Sequence, residues 1–267
     1  MSGSKKYLLS LLLLLLVLPL FTGCDEEVTT EEFYQAYQVR SGTILEIQNP
    51  NGEISITGWE EDEVEISAVK KTTRGQPALD AVDIFIDIAD WLVIETVHPD
   101  GVEDVIVNYD IKVPEDVSVG VIECSNGNIN VQGVSGNPAI YTNNGTVQVA
   151  DVNGKVSARS SNGDIIVTGV QGLSDLRTSN GDIEADLPAL HEDLDITTSN
   201  GSIALFVEPT LSVNLEANTS NGSINIGDLN MEISEHEQTS LVSLMNDGGY
   251  NINISTSNGS IDLEPLS

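Results

Sequence analysis

The dipeptide Asn-Gly recurs at Asn51, Asn126, Asn144, Asn153, Asn162, Asn180, Asn200, Asn221 and Asn258. From Asn126 to Asn221 the main series steps by 18, 18, 18, 20 and 21 residues, with Asn153 halfway between two members. The last interval, Asn221 to Asn258, is 37 residues, close to two repeats. A fixed step of this size marks one supersecondary unit stacked on copies of itself.

The columns around the turn say what the unit is. Three residues after each Asn stand Ile54, Ile129, Val147, Val156, Ile165, Ile183, Ile203, Ile224 and Ile261, all β-branched and apolar. The position between is polar throughout, as in Glu53, Thr146, Asp164 and Ser260, and the position two further on is apolar again. This is period-two alternation on both sides of a turn, the pattern of half-buried strands. Asn and Gly both tolerate positive φ, which tight turns require.

Hairpins or a solenoid could follow, and the constant step favours the solenoid. A coil of two strands of five or six residues and two corners fills 18–21 residues. Gly136-Asn137, Asn153-Gly154 and Gln171-Gly172 fall where the second corner belongs. The fold class read from the sequence is therefore all-β: a single-stranded β-solenoid with a β-rich N-terminal capping region. Seven coils at about 4.8 Å would make a rod on the order of 34 Å long. Asn51, Asn126, Asn144, Asn162, Asn180, Asn200, Asn221 and Asn258 are its structural turns, and identical stacked Asn side chains can hydrogen-bond into a ladder. Two residues before the Asn, the series Cys124, Thr142, Ser160, Thr178, Thr198, Thr219 and Thr256 reads as small inward side chains bonded to turn backbone.

The expected organisation is a signal segment at 1–23, an acidic tether at 24–38, the β-rich part at 39–120 and repeats at 121–267. Strands are expected over Thr43–Ile47, Glu53–Thr57, Val64–Val69, Ala81–Ala89, Leu92–Val97, Val105–Val113 and Val117–Ile122. Trp59 and Trp91 read as core or cap residues. The repeats are interrupted near 228–249, where Glu235–Asn246 is expected as a short helix with Leu241, Leu244 and Met245 on one face. Asp25–Glu32 is expected to be disordered.

Lys5 and Lys6 precede a Leu-rich stretch, Tyr7–Phe21, that is short for a bilayer span and fits a signal peptide. It runs into Leu20-Phe21-Thr22-Gly23-Cys24, a lipobox-like end that makes Cys24 the expected lipidation site and the membrane a partner through the anchor. The expected location is the cell envelope, facing outside the cytoplasm. With Cys24 acylated, Cys124 has no intrachain disulfide partner. The formal net charge is −32, with 10 basic and 42 acidic residues. Such a chain repels phosphate backbones, so nucleic acid is excluded as a partner. A saline habitat or solubility explains the acidity; Ca²⁺ binding is the sharper alternative, and no other cofactor is expected.

The pair of strand signals around Asn51-Gly52-Glu53-Ile54-Ser55-Ile56-Thr57-Gly58-Trp59, then Tyr109-Asp110-Ile111-Lys112-Val113-Pro114, then iterated Ser-Asn-Gly-polar-Ile segments, resembles the putative adhesin family of bacterial envelope proteins. That family is of unknown function, and its motifs are turns. The resemblance implies a β-solenoid and an envelope role, and it carries no catalytic residues.

His98, His191 and His236 lie far apart without metal spacing, and no phosphate loop or nucleophile motif occurs. One outward constellation stands out. Three residues before successive Asn turns come Tyr141, Arg159 and Arg177, which stacking would place on adjacent rungs. An aromatic and two guanidiniums can grip an acidic sugar or carboxylate. Asp164 and Asp182, around the corner, are the expected charge partners if the arginines only balance charge. The expected function is a non-catalytic binding or scaffold module for glycan, cell wall or protein. An envelope regulatory or stress protein binding another protein is the alternative, and a β-helix polysaccharide lyase or hydrolase the lesser one.

Overall fold

The structure is a computed structural model and describes residues 27–266. The signal segment and Cys24 lie outside the described residues.

In chain order the N-terminal part comprises β1 (Thr29–Tyr37), β2 (Ile44–Asn51), β3 (Ile54–Trp59), β4 (Val64–Thr72), the single-turn α1 (Gln76–Leu79), β5 (Asp83–Ile88), β6 (Trp91–Val97) and β7 (Ile106–Pro114). The middle comprises β8 (Ser118–Asn126), β9 (Ile129–Gln132), β10 (Ala139–Asn144), β11 (Val147–Ala150), β12 (Lys155–Asn162) and β13 (Ile165–Thr168). It continues through β14 (Gly172–Arg177), β15 (Ile183–Leu187), β16 (Leu194–Thr197) and β17 (Ile203–Val207). The C-terminal part comprises β18 (Val213–Asn221), β19 (Ile224–Ile226), β20 (Met231–His236), β21 (Ser240–Met245), β22 (Tyr250–Asn258) and β23 (Ile261–Pro265).

Two sheets face each other. An 11-stranded sheet runs β1-β4-β7-β3-β9-β11-β13-β15-β17-β23-β19. A 12-stranded sheet runs β20-β21-β18-β22-β16-β14-β12-β10-β8-β2-β6-β5. Each coil gives one strand to each sheet, and like strands of neighbouring coils pair in parallel, as in Ile140↔Ala158 and Val147↔Ile165. Parallel pairing at a constant step is the solenoid and excludes a hairpin array for these coils.

The core is the inward columns. Ile54, Ile129, Val147, Ile165, Ile203 and Ile261 are wholly buried, and Ile183 and Ile224 nearly so. Each such side chain contributes roughly 1.5–3 kcal/mol on burial. The eight ladder asparagines form one unidirectional chain of side-chain amides. Asn126 Nδ2 donates to Asn51 Oδ1 at 2.7 Å, Asn144 to Asn126 at 2.8 Å, Asn162 to Asn144 at 2.9 Å, Asn180 to Asn162 at 2.8 Å and Asn200 to Asn180 at 2.8 Å. Asn51 ends the chain by donating to the Glu103 carbonyl at 2.6 Å. Beside it the hydroxyls of Thr142, Ser160, Thr178 and Thr198, and the Cys124 thiol, donate to the glycine carbonyl of the preceding corner. The corners sit directly on one another. At Gly163 (φ 148°) a Cβ would collide with the Gly145 carbonyl, so the turn glycine is required by the stack as well as by φ.

Three sequence expectations need correction. The final coil is not last in space: β22 lies between β16 and β18, and β23 between β17 and β19. The ladder records the same insertion, since Asn258 donates to Asn200 and Asn221 donates to Asn258. The 37-residue interval therefore leads back into the stack, not onward by two rungs. At the other end the coil β6–β7 lies outside β2–β3, although it follows it in sequence.

Glu235–Asn246 holds no helix; β20 and β21 form an antiparallel hairpin that covers β18. The inward residues there are Leu241, Ser243 and Met245, at period two, because the open edge of β18 offers backbone partners that a helix would leave unmet. The acidic stretch expected as a tether contributes β1, whose residues Thr29–Tyr37 pair with β4. Trp59 is half-buried with Nε1 donating to the Glu63 carbonyl, and Trp91, 47% exposed, sits on the outermost coil, the cap position of the two alternatives.

Candidate functional site

The outward face of the 12-stranded sheet carries the predicted constellation. In register, Tyr141 sits beside Arg159 and Arg159 beside Arg177, on β10, β12 and β14. The three side chains are partly exposed and border a shallow groove of about 390 Å³. Asn143, Ser161, Ser179 and Ser199 line it with polar groups, one per rung. Their spacing follows from the strands, about 4.8 Å apart.

Asp175 organises the arginines. Its Oδ2 accepts from Arg159 Nε at 3.1 Å, and its Oδ1 accepts from Arg177 Nε at 2.8 Å. Arg177 Nη2 also reaches Asp195 Oδ2 at 3.3 Å. The Asp175 hydrogen bond and charge hold the Arg177 guanidinium above its ordinary pKa. The expected partners Asp164 and Asp182 do something else: Asp164 Oδ1 accepts the Asp182 N–H, and Asp182 Oδ1 accepts the Ser202 N–H, so they brace the corner. Asp175 stands two residues before Arg177 on one strand, hence on the same face, whereas the corner residues point elsewhere. Arg159 Nη2 also donates to Asp175, so Asp175 and Asp195 engage Nε and Nη2 of both guanidiniums, and the Nη1 groups are the donors with no carboxylate partner among the described residues.

The row does not stop at Tyr141. Glu123 precedes it in register, then Gln48, then Glu95. These border a second groove of about 340 Å³ that shares Tyr141, Thr142 and Asn143 with the first. Asn49, 2% exposed, lies among its lining residues; its Nδ2 donates to the Val107 carbonyl at 2.8 Å while its Oδ1 has no partner. Burial, with the Glu123 charge adding, raises the carboxyl pKa of the nearby Glu46. Gln48 and Glu95 escape sequence reasoning because the spatial order of the first coils departs from chain order.

Cys124 is buried, and burial pushes its thiol pKa up to about 11, which leaves it an unreactive occupant of the hydroxyl column. Among the described residues no group of three or more His, Cys, Asp or Glu is placed to hold a metal ion, and no helix is long and apolar enough to cross a membrane.

A capped two-sheet β-solenoid with polar grooves along one outer face is the class of protein these features define. The family model described as Toastrack DUF4097 matches residues 43–264, and the chain belongs to that family. Among solved structures it is similar to a protein from Bacteroides fragilis described as a putative adhesin, at 12% identity and a TM-score of 0.46, covering 87% of this chain and 97% of that one. It is also similar to one from Clostridium sporogenes described as a putative cell adhesion protein, at 10% identity and a TM-score of 0.32, covering 89% and 100%. A third, from Parabacteroides merdae and described as a putative adhesin, has 8% identity and a TM-score of 0.24, covering 87% and 96%. No curated protein matches the chain.

Proposed function

We propose that the protein is a non-catalytic binding module of the cell envelope, held to a membrane by lipid on Cys24, and that it binds acidic glycans along the outer face of the 12-stranded sheet. The observation that carries the reading is the register of Tyr141, Arg159 and Arg177 on successive rungs beside a groove lined by serine and asparagine. Asp175 and Asp195 pair with both arginines, so a uronate would take up the guanidinium donors that these carboxylates leave. Tyr141 offers a flat face for a sugar ring, the guanidiniums a fork for a uronate, and the hydroxyl rungs partners for sugar hydroxyls.

The test is a glycan array probed with protein lacking residues 1–24, with Ca²⁺ or with chelator. Uronate-containing glycans are expected to bind in both conditions, and the double variant Arg159→Gln/Arg177→Gln to lose that binding while keeping its circular dichroism. Binding unchanged in the double variant, or absent from the wild type, overturns the site. Binding that needs Ca²⁺ would move recognition from the arginines to the acidic surface. Anchoring at Cys24 is checked separately, by fatty-acid labelling of the full chain against Cys24→Ser.

A further inference from the structure

An Asn-Gly pair can modify itself, because a glycine without Cβ lets its main-chain nitrogen approach the preceding side chain. The glycine N bonds to the asparagine Cγ, the Cγ–Nδ2 bond breaks, and Nδ2 leaves as ammonia with the proton of the glycine N–H. Water then opens the resulting five-membered imide at either carbonyl, giving aspartate or an isoaspartate whose main chain runs through Cβ and Cγ. The chain carries nine Asn-Gly pairs, and eight of their glycine N–H groups are engaged. Along the ladder each donates to the asparagine carbonyl of the adjoining coil, from Gly52 to the Asn126 carbonyl at 2.8 Å through to Gly259 to the Asn221 carbonyl at 3.0 Å. Off the ladder, Gly154 donates to the Val152 carbonyl at 2.9 Å, and Asn153 Oδ1 accepts from Gln171 Nε2. To bring its nitrogen to Cγ, an engaged peptide must leave the stack and break its hydrogen bonds. Gly222 is the exception. β19 ends its sheet, and the Gly222 N–H meets no acceptor among the described residues. The cap passes over this corner: the β20–β21 turn takes the Thr219 N–H on the Thr239 carbonyl at 3.0 Å and the Ile224 N–H on the Gln238 carbonyl at 3.1 Å, leaving Asn221 exposed between them.

We propose that Asn221 is a site of spontaneous deamidation, and that the ladder shields the other Asn-Gly pairs from the same reaction. The proposal is independent of what the groove binds. Two observations at different atoms carry it. The nucleophile, Gly222 N, lacks the hydrogen bond that its eight counterparts make. The electrophile, the Asn221 amide, has an Oδ1 that accepts from no described residue, whereas the interior Asn162 Oδ1 is held by Asn180 Nδ2 at 2.8 Å. The consequence is confined to the end of the rod. Either product loses the Nδ2 that donates to Asn258 Oδ1 at 3.0 Å and to the Ser257 carbonyl at 3.3 Å, and sets a carboxylate against both oxygens. Isoaspartate also lengthens the main chain between β18 and β19. β19 is three residues long and pairs only with β23 among the described strands, so it is the strand released. Ageing thus loosens the cap and leaves the interior coils unchanged.

The experiment incubates detergent-solubilised full-length protein in mildly alkaline buffer. Peptide mapping by mass spectrometry follows the amide-to-acid exchange at each Asn-Gly pair, and isoaspartyl methyltransferase labelling reports isoaspartate. Asn221 is expected to convert at least about tenfold faster than Asn126, Asn144, Asn162 and Asn180, because an interior site must first give up its glycine N–H bond and its ladder amide. The same chain unfolded in urea is the reference, and there the rates should converge. Asn221→Gln should remove most of the methyltransferase label from the folded protein. Amide hydrogen exchange in Ile224–Ile226 should rise with the isoaspartate fraction, while Val147–Ala150 stays protected. An Asn221 rate no faster than that of Asn162 in the folded protein overturns the proposal. A spread of rates that urea leaves unchanged overturns it too, since local sequence and not the open end of the ladder would then be the cause. Conversion at Asn221 with Ile224–Ile226 still protected overturns the release of β19.

Discussion

The coils from Ser118 to Val207 and the coils at the two ends solve the same problem differently. In the middle, chain order is spatial order: β8, β10, β12, β14 and β16 follow one another in the 12-stranded sheet, and their partners do so in the other. At each end the chain runs to an outermost coil and returns inside it, so that β2–β3 and β22–β23 are penultimate. The outermost coils are then joined by antiparallel strands. β5 covers β6, β4 and β1 cover β7, and β21 and β20 cover β18. A solenoid that simply stopped would leave long flat edges open to other chains. Here three of the four edge strands carry charge, with Glu31 and Glu32 on β1, Asp83 and Asp87 on β5, and Glu232 and Glu235 on β20, and the fourth, β19, is only three residues long. The repeat supplies length, and the ends convert a polymerising architecture into a finite one.

The largest effect that would break this comparison comes from the C-terminus. Truncation after Met245 removes β22 and β23, and with them every parallel partner of β18 and β19. Loss of native amide protection is expected in Val213–Asn221 and in the hairpin Met231–Met245, with the middle coils kept. Hydrogen exchange read by mass spectrometry reports this directly. Were the last coil merely the outermost rung, the truncation would leave β18 protected through β16, and that result would refute the insertion.

A smaller effect compares the middle and the end of the asparagine ladder. Asn162 donates to Asn144 and accepts from Asn180, whereas Asn221 donates to Asn258 and ends the chain of amides with an Oδ1 that accepts from no described residue. Asn162→Ala should cost about 1 kcal/mol more than Asn221→Ala, since a net hydrogen bond is worth about 1 kcal/mol and Asn162 makes three side-chain hydrogen bonds against two for Asn221. Urea titration of the two variants decides it. Equal costs would mean that the amides are solvated decoration and that the corner glycines alone set the register.

This contrast also explains what the sequence could show. The step of the middle coils, the apolar columns and the hydroxyl column are strictly local signals, so the ladder and the row Tyr141-Arg159-Arg177 are legible from spacing alone. Nothing local distinguishes a coil that stacks onward from one that slips back inside. The interval after Asn221 therefore reads as two more rungs, and spacing alone does not join Gln48 and Glu95 to Glu123. The β20–β21 hairpin was hidden for a related reason. Leu241, Leu244 and Met245 satisfy a helical spacing, and only the open edge of β18 selects the strand pairing that buries Leu241, Ser243 and Met245. Asp175 is legible as well, since residues two apart on a strand share a face, which the corner residues Asp164 and Asp182 do not.

The smallest expected effect returns to the irregular end. Around Glu46 the pairing of β2 with β8 slips: Leu45 faces Val119, but Ile47 faces Ile122, so two residues oppose one. The bulge leaves Glu46 partly buried near Glu123, and burial raises its carboxyl pKa, with the Glu123 charge second. The central acid Asp175, by contrast, meets two guanidiniums. For a carboxyl whose folded pKa lies above its unfolded value, the protonated form is the one favoured by folding. Its stabilising contribution is present below the unfolded pKa and is lost as pH rises through the folded pKa. Glu46→Gln should therefore raise stability at neutral pH by less than about 1 kcal/mol, given solvent screening, and by nothing once the pH falls below the carboxylate range. Glu123→Gln should capture part of the same gain by removing the like charge. A Glu46→Gln gain that persists unchanged in acid would show that packing at the bulge, not charge, sets the cost of the irregular end.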